Sequence, residues 1–277
     1  ICDGTEPSIQ ELLNGFDSRY IDYVRAKGGA NPITIDVGDQ SSTFGTISEL
    51  GITAGMIAYW PLNNNTNDYS GNSFHGINNG AILTSGIHGG AYGFDGTASN
   101  FIDISGYNLH RADMYNGGAT FSCWVYPLSH STVIAQNIAG FLYFTINSSG
   151  KLQNMIRNVA DNVNYWVYGK ETIPLNKWSH VVCVVENGVG GRYYLNGELD
   201  GVGNNVGVEV VDRATSSRLG FYNASSLDGK MCDARIYNRA LSPEEVQILY
   251  NVTKPDRVPM QLSKDGTVYL SGELKEA

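Results

Sequence analysis

Any chemistry in this chain has to come from carboxylates, amides and aromatic rings. No G-x-S-x-G elbow, Walker loop or His-Glu-x-x-His helix occurs, and the five histidines (His75, His88, His110, His130, His180) are scattered along the sequence. The densest oxygen cluster is the run Asn63-Asn64-Asn65-Thr66-Asn67-Asp68-Tyr69-Ser70-Gly71-Asn72. Calcium takes about six to eight oxygen ligands, many of them amide or backbone carbonyls. The loop is therefore a candidate calcium site, with Asp68 as a carboxylate ligand and Asn63 or Asn72 beside it. A competing reading makes it an Asx-turn loop in which Asp68 only caps backbone N–H groups. Sugar recognition needs rings to stack on C–H faces and amides to pair with hydroxyls. Tyr165, Trp166, Tyr168, Tyr126 and Asn164 have those side chains, although aromatic rings in a β protein more often serve packing.

The composition narrows the class of protein further. The chain has 277 residues, with 18 Lys and Arg against 27 Asp and Glu, for a net charge of −9. No basic stripe is available to displace counterions from nucleic acid, and no apolar run reaches the ~18 residues of a membrane helix. The segment Ile1 to Gln10 holds Asp3 and Glu6 and lacks an apolar signal core. Only 16% of residues are charged, whereas there are 33 glycines and 17 tyrosines, the texture of a turn-rich β protein. Cys123, Cys183 and Cys232 fall in strand-like runs and read as buried free thiols; Cys2 stands apart, and no CxxC spacing occurs.

Three segments must position these groups. Residues 1–52 open with an Ser8-x-x-Glu11 capping box. Ile9, Leu12, Leu13, Phe16, Tyr20, Tyr23 and Val24 follow at helical intervals, which predicts one amphipathic helix. A short strand follows at Ile33, Ile35 and Val37. Residues 53–253 read as short strands between Gly, Asn and Ser turns. They fall at Ile57–Leu62, Ala91–Phe94, Phe101–Ile104, Thr120–Tyr126, Phe141–Ile146, Leu152–Arg157 and Tyr165–Tyr168. Others follow at Ser179–Val185, Arg192–Leu195, Arg218–Phe221 and Met231–Tyr237, with Asn196-Gly197 as a hairpin turn. Val181–Val185 is apolar on both faces, as a strand covered on both sides would be. Ser242, Pro243 and Glu245 then start a short helix. In residues 254–277, Asp265-Gly266 between alternating segments predicts a terminal hairpin.

Several runs in the middle segment carry a family pattern. Gly55-Met56-Ile57-Ala58-Tyr59-Trp60-Pro61-Leu62, Asp68-Tyr69-Ser70-Gly71-Asn72 with His75-Gly76, and Gly93-Phe94-Asp95-Gly96 come first. Phe121-Ser122-Cys123-Trp124-Val125, Trp178-Ser179-His180-Val181 and Tyr194-Leu195-Asn196-Gly197 follow, and the run from Asp228 to Ser242 closes the set. In this order they resemble laminin-G-like, concanavalin A-like jelly-roll domains over roughly residues 55–251. The resemblance implies an all-β sandwich of two antiparallel sheets, one concave and one convex. It also implies a closing strand beside the opening one, which brings Asp233 near Asp68 as a second calcium ligand. Cys232 stands where the family has its first Asp, so one acidic position is missing.

Members of this family are mostly carbohydrate- or protein-binding modules, and a minority of the superfamily are glycosidases. Retaining glucanases on this fold share a Glu-x-Asp-x-x-Glu strand, whose alternation puts the carboxylates on one face. The nearest run here, Glu198-Leu199-Asp200-Gly201-Val202-Gly203, ends in Gly203 and follows the Asn196-Gly197 turn. The acid/base is absent, so the expectation is no enzyme activity. The tail Met260–Glu273 resembles closing segments of phage virion proteins that carry lectin-like domains. The sequence thus predicts an oligomeric, surface-displayed module at a virion surface or outside a cell. It would bind glycans, hold a structural Ca²⁺, and join other virion subunits through its helix and hairpin. A secreted bacterial glycoside hydrolase or its accessory domain is the second reading, and a structural subunit without ligand the third.

Overall fold

The computed structural model describes residues 52–255 apart from 88, 108, 110–116, 139–140, 158–163, 204–215 and 223–224, together with 260–262 and 268–270. The chain divides into two units, Gly45–Val258, and Ile1–Phe44 with Pro259–Ala277. The expected N-terminal helix and the strand at Ile33–Val37 lie outside the described residues, as does the Asp265-Gly266 turn.

In chain order the first strands are β1 (Met56–Trp60), β2 (Ile77–Asn79), β3 (Ile82–Gly86), β4 (Gly89–Asp95), β5 (Phe101–Asp103) and β6 (Gly118–Pro127). Then come β7 (Thr132–Ile138), β8 (Phe141–Ile146), β9 (Leu152–Arg157), β10 (Asn164–Tyr168), β11 (Ser179–Glu186), β12 (Gly190–Leu195) and β13 (Glu198–Gly203). After β14 (Arg218–Leu219), β15 (Phe221–Tyr222), β16 (Ser225–Ser226) and β17 (Asp228–Tyr237) comes the helix α1 (Pro243–Thr253). In the other unit, β18 (Met260–Leu262) and β19 (Val268–Leu270) form an antiparallel hairpin, with Met260 opposite Leu270.

One sheet runs β13-β12-β11-β6-β17-β4-β3, and the other runs β10-β9-β8-β7-β14-β5-β2. All pairings are antiparallel among the described strands. The two-sheet all-β sandwich anticipated from the sequence is therefore present. β17 has β6 on one side; on its other side β4 pairs with its first half and β1 with its second. The closing strand does lie beside the opening one.

Alternation along each strand sends one set of side chains inward. Ile102, Leu219, Ala135, Phe144 and Val167 from the second sheet meet Phe121, Cys123, Val181, Cys183 and Tyr193 from the first in one core. Phe144 stacks on Tyr193 at 6.0 Å between ring centroids and meets Phe121 edge-on at 6.2 Å. Asn154 on β9 is fully buried, yet its amide donates to Cys183 Sγ and its Oδ1 accepts from the Tyr193 hydroxyl. That polar link crosses from one sheet to the other. The three described cysteines are buried free thiols, as expected, and burial pushes each one above its ordinary range.

α1 begins as its sequence predicts, with Ser242 accepting from Glu245 N–H and Glu245 reaching back to Ser242 N–H. It packs on the outer side of β6 and β11. Trp124 Nε1 donates to Thr253 Oγ1 at 3.0 Å, and Tyr250 lies against Trp124 and His180. This cover accounts for part of the two-sided burial of β11, where Val181 to Val185 are all inaccessible.

The structure adds strands at β2, β3, β7, β13 and β16 and splits the expected Arg218–Phe221 strand. Gly220 sits between β14 and β15 at φ +75°, and a Cβ there would come within 2.7 Å of Phe94. The left-handed backbone at Gly220 interrupts the strand, and Phe94 of the opposite layer leaves no room there for a side chain. Truncating the ring shared by both sheets, Phe144→Ala, should cost about 3–5 kcal/mol in urea unfolding; a loss under about 1 kcal/mol would show that the inter-sheet core is not centred there.

Candidate functional site

The Asn63–Asn72 loop is organised around Asp68, which is 7% exposed. Its Oδ1 accepts from Tyr59 N–H at 2.8 Å and Ser70 N–H at 2.9 Å; its Oδ2 accepts from Phe74 N–H at 2.9 Å and Ser70 Oγ at 2.8 Å. A carboxylate offers about four acceptor sites, and all are taken. Asn63 Oδ1 accepts from Gly90 N–H, and the Asn72 amide donates to Ile57 O at 3.0 Å. The groups aimed at Asp68 carry hydrogens, which suits a loop cap and opposes a cation.

Asp233 occupies a bulge in β17, between the residues paired to Trp124 and Ser122, with φ +59°. Its Oδ2 meets Arg235 Nη1 at 2.6 Å, and the guanidinium lies 4.2 Å above the Tyr59 ring. Arg235 is 1% exposed. Burial works against its charge, but Asp233 outweighs that and holds it protonated. Burial, with the Asp233 charge beside it, drives the Tyr59 phenol up. Asp233 is therefore committed to Arg235, and the expected shell of Asp68, Asp233, Asn63 and Asn72 does not assemble as a set of free oxygens. Among the described residues no three His, Cys, Asp or Glu side chains gather as metal ligands.

The acids of the glucanase-like run point to different environments. The run is a strand, β13, at the edge of its sheet, and Glu198 is exposed there. Asp200 is buried at 3% exposure and caps the loop that follows β10, accepting from Lys170 N–H at 3.0 Å and Glu171 N–H at 2.8 Å. His180 is fully buried, with Nε2 2.8 Å from Ser122 Oγ and its ring against Trp124 and Tyr250. Burial pushes its pKa down to about 3. Covered by α1, it is a packed histidine.

The glycan candidates separate into two places. Trp166 and Tyr168 lie on β10, the edge strand of the second sheet, and project outward on either side of the buried Val167. They are 41% and 52% exposed, with ring centroids 6.4 Å apart and planes only 18° from parallel. Asn164 and Tyr165 belong to the same strand. Tyr126 does not join them. It lies on β6 of the other sheet, edge-on to Trp178 at 5.5 Å and with Lys230 Nζ 5.2 Å from its centroid.

Sequence reasoning passed over two polar features. An open cleft of about 260 Å³ is lined by Asp95, Ser129, Ser131, Thr132, Ser225 and Asp228, with Asp95 and Asp228 opposite each other on β4 and β17. Hydrogen bonds from the Thr97 side chain and backbone hold the Asp95 carboxyl below its usual range. The second is Arg218 on β14, whose guanidinium carbon lies 4.6 Å from the Phe101 centroid and 4.9 Å from that of Phe221. Both features join residues far apart in the chain, so no local motif announces them.

The outward-facing ring pair stands on a two-sheet jelly roll, and the family comparison fits that fold. The chain belongs to the concanavalin A-like lectin/glucanases superfamily, whose family model matches residues 103–247, just over half of its length. Among solved structures it is similar to domain 4 of AbnA, an extracellular GH43 arabinanase from Geobacillus stearothermophilus, in complex with arabinotriose. That likeness has 22% identity and a TM-score of 0.50, and covers 71% of this chain and 98% of that one. It is also similar to the binding domain of Paraclostridial Mosquitocidal Protein 1, at 16% identity and a TM-score of 0.58, covering 72% and 52% of the two chains. The receptor binding domain of botulinum neurotoxin D follows at 18% identity and 0.53, covering 72% and 53%. The chain spans about half the length of these toxin domains.

Asp233→Ala leaves the buried Arg235 uncompensated and should cost about 3–5 kcal/mol, with the same melting temperature with and without EDTA. Lower wild-type melting in EDTA, restored by added CaCl2, would instead establish a bound calcium. Because the folded His180 pKa lies below the ordinary value of 6.5, the unfolded chain takes up the proton first as pH falls. Stability from this group is full above about pH 6.5 and declines toward about pH 3. A His180→Asn variant should show a shallower loss over that window in pH-dependent unfolding.

Proposed function

We propose that this protein is a non-catalytic, extracellular carbohydrate-binding module. The observation that carries the reading is the Trp166–Tyr168 pair, two large rings held outward and nearly parallel on an edge strand. Exposed rings of this size are costly to leave in water and are well shaped to cover sugar C–H faces. The arabinotriose held by the AbnA domain supports the reading, as do the binding roles named for the toxin domains. Among the described residues no helix is long and apolar enough to cross a membrane.

The chemistry of β13 supports binding over hydrolysis. A retaining glycosidase needs two carboxyl groups about 5 Å apart across the scissile bond, whereas Glu198 faces solvent and Asp200 is spent on a loop. A role on a virion, fibre or tail rests on the flanking segments and their resemblance. In that case the module would be one copy of an oligomer, presenting its glycan site outward.

Titration against a glycan array and then by calorimetry tests the reading. Trp166→Ala and Tyr168→Ala should each weaken the best ligand by about tenfold or more, while Tyr126→Ala leaves it unchanged. Equal binding by all three variants would remove the β10 platform. Release of reducing sugar abolished by Glu198→Gln would overturn the non-catalytic assignment.

A further inference from the structure

Trp166 and Tyr168 share the outer face of the second sheet with an unusual cation. Leu219, Ala135 and Ile102 point into the core, so their neighbours Arg218, Gln136 and Asp103 point outward, in register across β14, β7 and β5. In a chain with more acids than bases, arginines attract carboxylates. Arg192 holds Glu186, Arg235 holds Asp233, and Arg239 holds Glu245. Arg218 has no ion pair among the described residues. Its neighbour Asp103 turns Oδ1 to Ser105 N–H at 2.8 Å instead.

The guanidinium is nonetheless fixed. It lies over Phe101 and Phe221, whose own centroids are 5.1 Å apart, so its planar fork is set without a partner anion. Beside it, Gln136 is only 8% exposed and is anchored by its Nε2 to Ser216 O and Oγ. Its Oε1 has no donor, and Arg218 Nε has no acceptor. One guanidinium N–H and one amide oxygen, on residues directly paired across β14 and β7, are thus both unmet. Buried polar atoms without partners are rare enough to call for an explanation.

We propose that Arg218 and Gln136 form a subsite for an acidic sugar, with the carboxylate of a uronate or sialate on the Arg218 guanidinium and a sugar hydroxyl donating to Gln136 Oε1. The carboxylate matches the guanidinium plane two-to-two, which a neutral sugar hydroxyl cannot do. β14 lies four strands from β10, or about 19 Å at ~4.8 Å per strand. The ligand that uses both places is therefore an acidic oligosaccharide lying across the sheet. This inference rests on the glycan-binding reading and adds its charge specificity.

Calorimetry with tetragalacturonate, a glucuronate-containing tetrasaccharide and sialyllactose, against arabinotriose and cellotetraose as neutral probes, tests it. At least one acidic probe should bind the wild type more tightly than either neutral one, and added NaCl should weaken only the acidic probes. Arg218→Gln should lose roughly ten- to hundredfold for the acidic probe and little for the neutral ones. Arg218→Lys, which keeps charge without the fork, should recover part of that, and Arg192→Gln on the other sheet should change nothing. Thermal melts of each variant separate misfolding from lost contacts. Equal binding of acidic and neutral probes, or a parallel loss of both in Arg218→Gln, overturns the subsite and leaves the module intact. Failure of every probe to bind overturns the glycan reading and the subsite with it.

Discussion

The Arg235–Asp233 pair under Tyr59 is the constraint on which the closing of this sandwich depends. A guanidinium at 1% exposure has lost nearly all of its water, a penalty of several kcal/mol unless a counter-charge and a ring face replace it. Asp233 reaches the guanidinium from two residues away, and the bulge that breaks the β17–β6 register turns the strand there. Tyr59 comes from β1, on the other flank of β17. One side-chain cluster therefore ties the opening strand to the closing strand. The register of the first sheet around β17 follows from where that cluster forms.

The two sheets then differ in what their outer faces are free to do. On the first sheet, α1 lays Tyr250 and Thr253 over Trp124 and His180, so rings there end in packing. On the second, Trp166 and Tyr168 stand exposed at one edge, and Arg218 lies flat on its two phenylalanines. Identical residue types thus serve as core on one face and as available surface on the other. Their chemistry is decided by what covers them.

Much of the scaffold was legible from local pattern. Short apolar-rich runs between turn residues marked β6, β9, β11, β12 and β17, the Asn196-Gly197 turn sits between β12 and β13, and the Ser242-Pro243-Glu245 start of α1 has both its capping bonds. Strands such as β7, whose Thr132 to Gln136 mixes hydroxyl, amide and apolar side chains, had no clean period to read. The candidate site was half legible. Trp166 and Tyr168 were recognisable by their ring side chains, on a strand expected at Tyr165–Tyr168. Tyr126 was grouped with them by residue type, although it belongs to the other sheet.

By itself, the sequence determined the all-β class, most strand positions, the helix cap and the absence of a paired acid on β13, because each depends on residues within a few positions of one another. Tertiary structure alone decided that Tyr59 lies over the Asp233–Arg235 pair, and that Arg218 meets Phe101 and stands in register with Gln136. The contacts of Tyr59 with Arg235 and of Arg218 with Phe101 join segments more than a hundred residues apart. Which strand becomes whose neighbour is settled by burial across the whole sandwich, and no local spacing records it.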